Sequence, residues 1–137
     1  MDLSVVIPVY NEEESVSELT EWIERVCRQS NISFEIIIID DGSSDSSWKI
    51  IRDLASSKSF IKGIRFRRNY GKAAALHTGF TEASGDIVIT MDADLQDSPD
   101  EIPELLRMIK EDGYDLVSGW KKKRYDSFIK RSTSRIY

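Results

Sequence analysis

Phe34-Glu35-Ile36-Ile37-Ile38-Ile39-Asp40-Asp41-Gly42-Ser43 decides the architecture. Four consecutive isoleucines without polar alternation are the pattern of a strand covered on both faces, as in a buried parallel sheet. The run stops in Asp40-Asp41-Gly42-Ser43, residues that favour a turn and the start of a helix. The same rhythm recurs outward in both directions. Upstream, Leu3–Val9 reads as a strand, and Asn11 is expected to cap a helix with Glu14 as its capping-box partner. Val16, Leu19, Ile23, Val26 and Cys27 then recur at helical spacing. Downstream, Trp48, Ile51, Leu54 and Ala55 mark a helix and residues 61–66 a third strand. Ala73, Leu76, Phe80 and Ala83 outline another amphipathic helix, and residues 87–91 a fourth strand. Ser98 caps a helix with Pro99 at its first position and Glu101 at its third. Ile102, Leu105, Leu106 and Ile109 form its apolar stripe, Gly113 is placed to end it, and Tyr114–Ser118 is a fifth strand. Strand and helix in alternation imply an α/β fold: an open, mostly parallel sheet with right-handed crossovers and helices on both faces.

Composition is that of a soluble globular chain, with 40% hydrophobic and 31% charged residues in 137. The longest aliphatic run, residues 36–39, is too short to span a bilayer, and no secretory signal opens the chain. Cys27, alone and on an apolar stripe, reads as a buried thiol in a reducing compartment. Charge is uneven. Residues 1–120 carry 12 Lys/Arg against 23 Asp/Glu, whereas residues 121–137 carry seven basic residues and only Asp126. This divides the chain into an acidic body, 1–120, and a basic segment, 121–137, in which Tyr125, Phe128, Ile129, Ile136 and Tyr137 interrupt the charge. Wound as a helix, that segment would bring Arg124, Phe128 and Arg131 to one face, a surface suited to a phosphate at a membrane boundary.

Ligands of open parallel sheets bind beyond the carboxyl ends of the strands, and four polar clusters fall there. If the chain stays extended past the fourth strand, Asp92, Asp94 and Gln96 project to one side. Two close carboxylates and an amide oxygen suit Mg²⁺ or Mn²⁺ completed by phosphate and water. The alternative is a solvated acidic turn capping the next helix. With His77 the chain's single histidine, a zinc site is disfavoured. Asp41 can accept a hydrogen bond from a ring N–H, which uracil and guanine offer and adenine and cytosine do not; otherwise it serves the turn and helix cap. Lys72, at a helix start, can meet a phosphate or remain a solvated lysine. Dinucleotide, P-loop and nucleophile-elbow motifs are absent.

Val6-Ile7-Pro8-Val9-Tyr10-Asn11-Glu12-Glu13, Ile39-Asp40-Asp41-Gly42-Ser43-Ser44-Asp45, and Gly85-Asp86 leading to Met91-Asp92-Ala93-Asp94 resemble the family 2 glycosyltransferases of GT-A fold. Arg68-Asn69-Tyr70-Gly71-Lys72, Asp92-Ala93-Asp94-Leu95-Gln96-Asp97, and the run from Gly119 through Arg124, Asp126, Lys130, Arg131 and Ser134 resemble the polyprenyl-phosphate branch. That branch includes dolichyl-phosphate mannosyltransferases and undecaprenyl-phosphate glucosyltransferases. Ser98 departs mildly, standing where that pattern has proline.

The resemblance implies that Pro8, Tyr10, Glu12 and Asp41 hold the nucleoside of a UDP- or GDP-linked sugar; Lys72, from its place at a helix start, is expected among the donor-binding residues. It implies Asp92 in the ribose or metal shell, Asp94 and Gln96 on the metal with the donor diphosphate, and Arg124, Arg131 and Ser134 on the acceptor phosphate. Asp92, Asp94 and Arg131 are the expected catalytic set. The implied reaction is a single inverting displacement, with Mg²⁺ or Mn²⁺ stabilising the leaving diphosphate. A lipid-phosphate acceptor is already anionic. A sugar hydroxyl would need a carboxylate base, for which Asp97 or a residue past Tyr137 is a candidate. Two readings compete: transfer to a glycan or polysaccharide hydroxyl, and a non-catalytic nucleotide- or membrane-binding module. The chain stops within the basic segment and is expected to be a soluble fragment. The full protein is expected at the cytoplasmic face of the cell membrane, meeting the membrane surface through the missing C-terminal part, with no nucleic-acid partner.

Overall fold

A computed structural model of the protein describes residues 1–112, 114–118 and 129–131, with side chains through residue 111. The chain runs β1 (Leu3–Val9), α1 (Val16–Gln29), β2 (Phe34–Asp40), α2 (Ser47–Ser57), β3 (Ile61–Arg65), α3 (Lys72–Glu82) and β4 (Ile87–Thr90). A single 3₁₀ turn (Pro99–Glu101), α4 (Ile102–Asp112), β5 (Tyr114–Ser118) and β6 (Ile129–Arg131) follow. One six-stranded sheet has the order β3-β2-β1-β4-β5-β6. Neighbours are parallel except β6, which runs antiparallel to β5.

The isoleucine run fills the centre as its composition requires. Ile36 and Ile38 face one side of the sheet with Val5, Ile7 and Ile89, under the apolar faces of α1, α2 and α4. Ile37 and Ile39 face the other side with Val6, under α3. Each is fully buried, so the strand has no polar face to give an alternating pattern. Cys27 lies in the first core, and burial pushes its thiol up to about 12.

The order of strands explains the placement of α3. The chain steps from β1 to β2 to β3 in one direction, then returns across the sheet to β4. A right-handed return in the reverse direction puts the connecting helix on the opposite face. The same rule would put α4 beside α3, yet α4 lies in the core shared with α1. The passage from 91 to 101 carries the chain around the strand ends, and the 3₁₀ turn docks on α1 through Trp22 Nε1, which donates to Asp100 Oδ1 at 2.9 Å. Ser98 accepts from the Asp100 amide, as its reading as a cap anticipates.

Two local expectations are corrected. Asn11 does not cap α1; Ser15 is the cap residue. Asn11 adopts φ 53° and its Oδ1 accepts from the amides of Ser44 and Asp45, lacing the β1–α1 loop to the β2–α2 loop. Ile129–Arg131 is a strand paired with β5, so Arg131 does not sit on a helical face. Arg124 and Phe128 lie outside the described residues.

At the opposite, N-terminal edge, Glu35 interrupts the apolar strand. Its Oε2 accepts from Ser4 Oγ at 2.6 Å and from the Ser84 amide at 2.7 Å, and Lys62 Nζ stands 3.4 Å from Oε1. Burial opposes ionisation, but these three donors outweigh it and hold the carboxyl below the usual carboxylate range. A depressed folded pKa stabilises the protein above the ordinary value, and that contribution is lost as pH falls through the folded one. Glu35→Gln is therefore expected to cost about 1–2 kcal/mol at neutral pH. The gap to wild type, read by urea unfolding, should shrink below about pH 4. A gap that does not vary with pH would exclude the charged network as its source.

Candidate functional site

The sheet reverses its order at β1, whose two neighbours are reached in opposite directions, and open sheets bind ligands at such a switch point. A cavity of about 280 Å³ opens there. Pro8, Val9, Tyr10 and Glu12 line it from the end of β1, Asp41 from the end of β2, Lys72 from the start of α3, and Asp92, Ala93 and Asp94 from beyond β4. All but one of the residues expected to meet the donor thus share one cavity. The exception is Gln96.

Gln96 falls outside the lining because the chain does not stay extended. β4 ends at Thr90, and Leu95 takes φ 66°, closing a turn in which the Gln96 amide donates to Asp94 Oδ1 at 3.1 Å. Asp92 and Asp94 both line the cavity from beyond the end of β4, and Gln96 does not. Asp97 is 2% exposed, and its Oδ2 accepts from the Asp92 amide at 3.0 Å. Its place is under the acidic pair, outside the cavity lining. Arg131 lies on β6; Arg124 and Ser134 are outside the described residues.

Electrostatics set what the cavity can hold. Its lining carries four carboxylates, Glu12, Asp41, Asp92 and Asp94, and one ammonium, Lys72. Lys72 Nζ lies 2.6 Å from Asp92 Oδ1. Asp41, 5% exposed, accepts from the amides of Tyr70 at 2.8 Å and Gly71 at 3.1 Å, so it anchors the loop that delivers Lys72. A cavity of this charge repels a diphosphate unless a cation enters with it. Asp92 and Asp94 supply two hard oxygen donors. Among the described residues there is no preassembled group of three or more ligating side chains. That donor set fits Mg²⁺ or Mn²⁺, which commonly keep water and phosphate oxygens in the remaining positions. Tyr10, 49% exposed at the mouth, offers a ring face to a base.

Two residues around the site, Ser47 and Ser15, escaped the sequence reading. In the turn before α2, Asp45 Oδ1 accepts from the Ser47 amide at 2.8 Å, and Ser47 Oγ accepts from the Glu12 amide at 2.9 Å. Ser15 donates to the Ala93 carbonyl. The signal for Ser15 was present: Ser15 and Glu18 have capping-box spacing, and so do Asn11 and Glu14.

The chain matches Glycosyl transferase family 2 over residues 4–136. It is 44% identical over 135 residues to the undecaprenyl-phosphate 4-deoxy-4-formamido-L-arabinose transferase of Proteus mirabilis, covering 98% of this chain and 41% of that protein. Identity to the enzyme of the same name from Serratia proteamaculans is 46%, with the same coverage. The chain thus spans about two fifths of the length of these curated relatives. Among solved structures it resembles the mannosyltransferase PcManGT of Pyrobaculum calidifontis in complex with GDP-Man and Mn²⁺, with a TM-score of 0.69 and 25% identity over 81% of this chain and 33% of that one. It also resembles glucosyl-3-phosphoglycerate synthase of Mycobacterium tuberculosis in complex with Mn²⁺, UDP and phosphoglyceric acid. There the TM-score is 0.62, with 28% identity over 79% of this chain and 38% of that one. Fold and motif order agree with these likenesses, and the chain belongs to glycosyl transferase family 2.

Proposed function

We propose that this chain is the donor-binding part of a metal-dependent, inverting transferase that moves a sugar from a UDP- or GDP-linked donor to a polyprenyl phosphate. The observation that carries the reading is the cavity at the switch point, where two adjacent carboxylates and a lysine face a surface otherwise too acidic for a diphosphate. Pro8, Tyr10, Glu12 and Asp41 hold the nucleoside. Asp92 and Asp94 bind the metal with the diphosphate, Gln96 joins them on the strength of the family resemblance alone, and Lys72 takes a phosphate oxygen. The metal, when bound, supplies charge stabilisation for the leaving diphosphate.

A polyprenyl-phosphate acceptor agrees with the curated relatives, whose names carry undecaprenyl phosphate. It also agrees with Asp97, whose burial and bond to the Asp92 amide leave it poorly placed to serve as a base toward a hydroxyl. The acceptor phosphate falls to Arg124, Arg131 and Ser134. No helix among the described residues is long and apolar enough to cross a membrane, and contact with a membrane surface is assigned to the basic segment 121–137. The acidic body 1–120 is then the donor domain.

Calorimetry of the chain with UDP, GDP and ADP, each with Mn²⁺ and after chelation, tests this reading. UDP or GDP should bind at least about tenfold more tightly with Mn²⁺, a difference of about 1.4 kcal/mol, and ADP should compete poorly. Equal affinity with and without metal would overturn metal dependence, and equal affinity for ADP would remove Asp41 as a base-reading residue.

A further inference from the structure

Ser15 occupies the N-cap position of α1, yet its side chain makes no cap hydrogen bond. A serine there ordinarily accepts from an amide in the first turn. Its Oγ instead points across to the loop beyond β4 and lies 2.5 Å from the Ala93 carbonyl oxygen. Glu12 Oε2 lies 3.2 Å from the same hydroxyl. A hydroxyl has one proton to give, and the closer carbonyl takes it. Ser15 is 9% exposed and Ala93 3%, so water cannot readily substitute.

Ala93 separates Asp92 from Asp94, and the peptide whose oxygen Ser15 holds is the one that carries the Asp94 amide. Within the acidic turn the Asp92 amide donates to Asp97 Oδ2 and the Gln96 amide to Asp94 Oδ1, and Lys72 of α3 reaches the Asp92 carboxylate from outside it. Ser15 ties it to a different element, the loop that also carries Glu12 and Tyr10. It thereby sets the distance between the wall lined by Tyr10 and Glu12 and the wall lined by the acidic pair.

We infer that Ser15 is a positioning residue for the metal-assisted part of donor binding. The inference rests on the reading of Asp92 and Asp94 as metal ligands. Without the Ser15 hydroxyl the Ala93–Asp94 peptide loses its tie to the β1–α1 loop, and the placement of Asp94 relative to Asp92 loosens. Nucleotide contacts on the β1 wall do not depend on that peptide.

The test is the ratio of UDP or GDP affinity with Mn²⁺ to that without, measured by calorimetry on the whole chain. In Ser15→Ala the ratio should fall about tenfold, with metal-free affinity changed less than twofold, and Ser15→Thr should restore most of it. Thr20→Val removes a buried hydroxyl further along the same helix, one bonded to the Ser17 carbonyl. It should cost stability and leave the ratio intact, separating positioning from general destabilisation. If Ser15→Ala fails to fold, Ser15→Cys keeps the volume with a weak donor and should give a reduced ratio. A wild-type ratio above one that is unchanged in these Ser15 variants overturns this inference alone. A wild-type ratio of one overturns the metal reading and this inference with it.

Discussion

Gly42→Ala should lower the unfolding free energy by about 3 kcal/mol or more, the sum of two costs that fall on one methyl group. Gly42 has φ +77°, a conformation that costs an L-residue about 1–2 kcal/mol. Its added Cβ would also meet Arg68 C at 2.3 Å and Asn69 N at 2.5 Å, both backbone atoms. A side chain could swing away, but here the 68–69 backbone must move, a strain comparable to overpacking a core at about 1–3 kcal/mol. The displaced segment leads directly to Tyr70 and Gly71, whose amides bind Asp41, and to Lys72. Nucleotide affinity should therefore fall with stability. Gly71→Ala is the control. Gly71 has φ +104° but nothing within 4 Å of the added atom, so only conformational strain applies and the loss should be smaller. Thermal unfolding of the two variants checks this. Equal losses would mean that the close approach to Arg68 does not hold in solution.

Asp94→Ala should abolish the metal-assisted gain in donor affinity, a loss of about 100-fold in nucleotide diphosphate binding with Mn²⁺ present, or about 2.7 kcal/mol. Two carboxylates are the only charged oxygen donors that the turn presents to the cavity, and removing one halves the charge that a divalent ion meets. Stability should hardly change, because Asp94 is exposed and its side chain bonds only the local Gln96 amide. Calorimetry with Mn²⁺, paired with thermal unfolding, separates the two effects. Unchanged metal dependence in a folded Asp94→Ala would move the metal site elsewhere.

Much of the fold can be read in the sequence because its signals are periodic. Four isoleucines without alternation require two covers, and α3 on one face with α1, α2 and α4 on the other supply them. The polar clusters at strand ends required only that strands be parallel. What could not be read depends on a single backbone angle or on a contact between distant segments. Leu95 in the left-handed region removes Gln96 from the cavity, and an apolar side chain gives no warning of it. Asn11 and Ser15 have equivalent spacing to acidic partners, and only the β2–α2 loop, more than 30 residues on, decides that Asn11 serves it while Ser15 serves Ala93. A strand as short as Ile129–Arg131 has too few residues to show a period, so its basic and apolar neighbours read equally well as helix.

If Asp92 holds the metal of a nucleotide diphosphate, as proposed, its contact with Lys72 would make donor entry an exchange of counter-ions. Before any ligand arrives, Asp92 already has a cation, tethered to the start of α3. A free divalent ion must evict that ammonium and leave it facing a negative cavity, so metal alone should load weakly. A metal already chelated by a diphosphate brings the lysine a new anion as it takes the old one away. On that reading the order of arrival would be biased toward the chelate entering as a unit, with Lys72 free to return to Asp92 once it leaves.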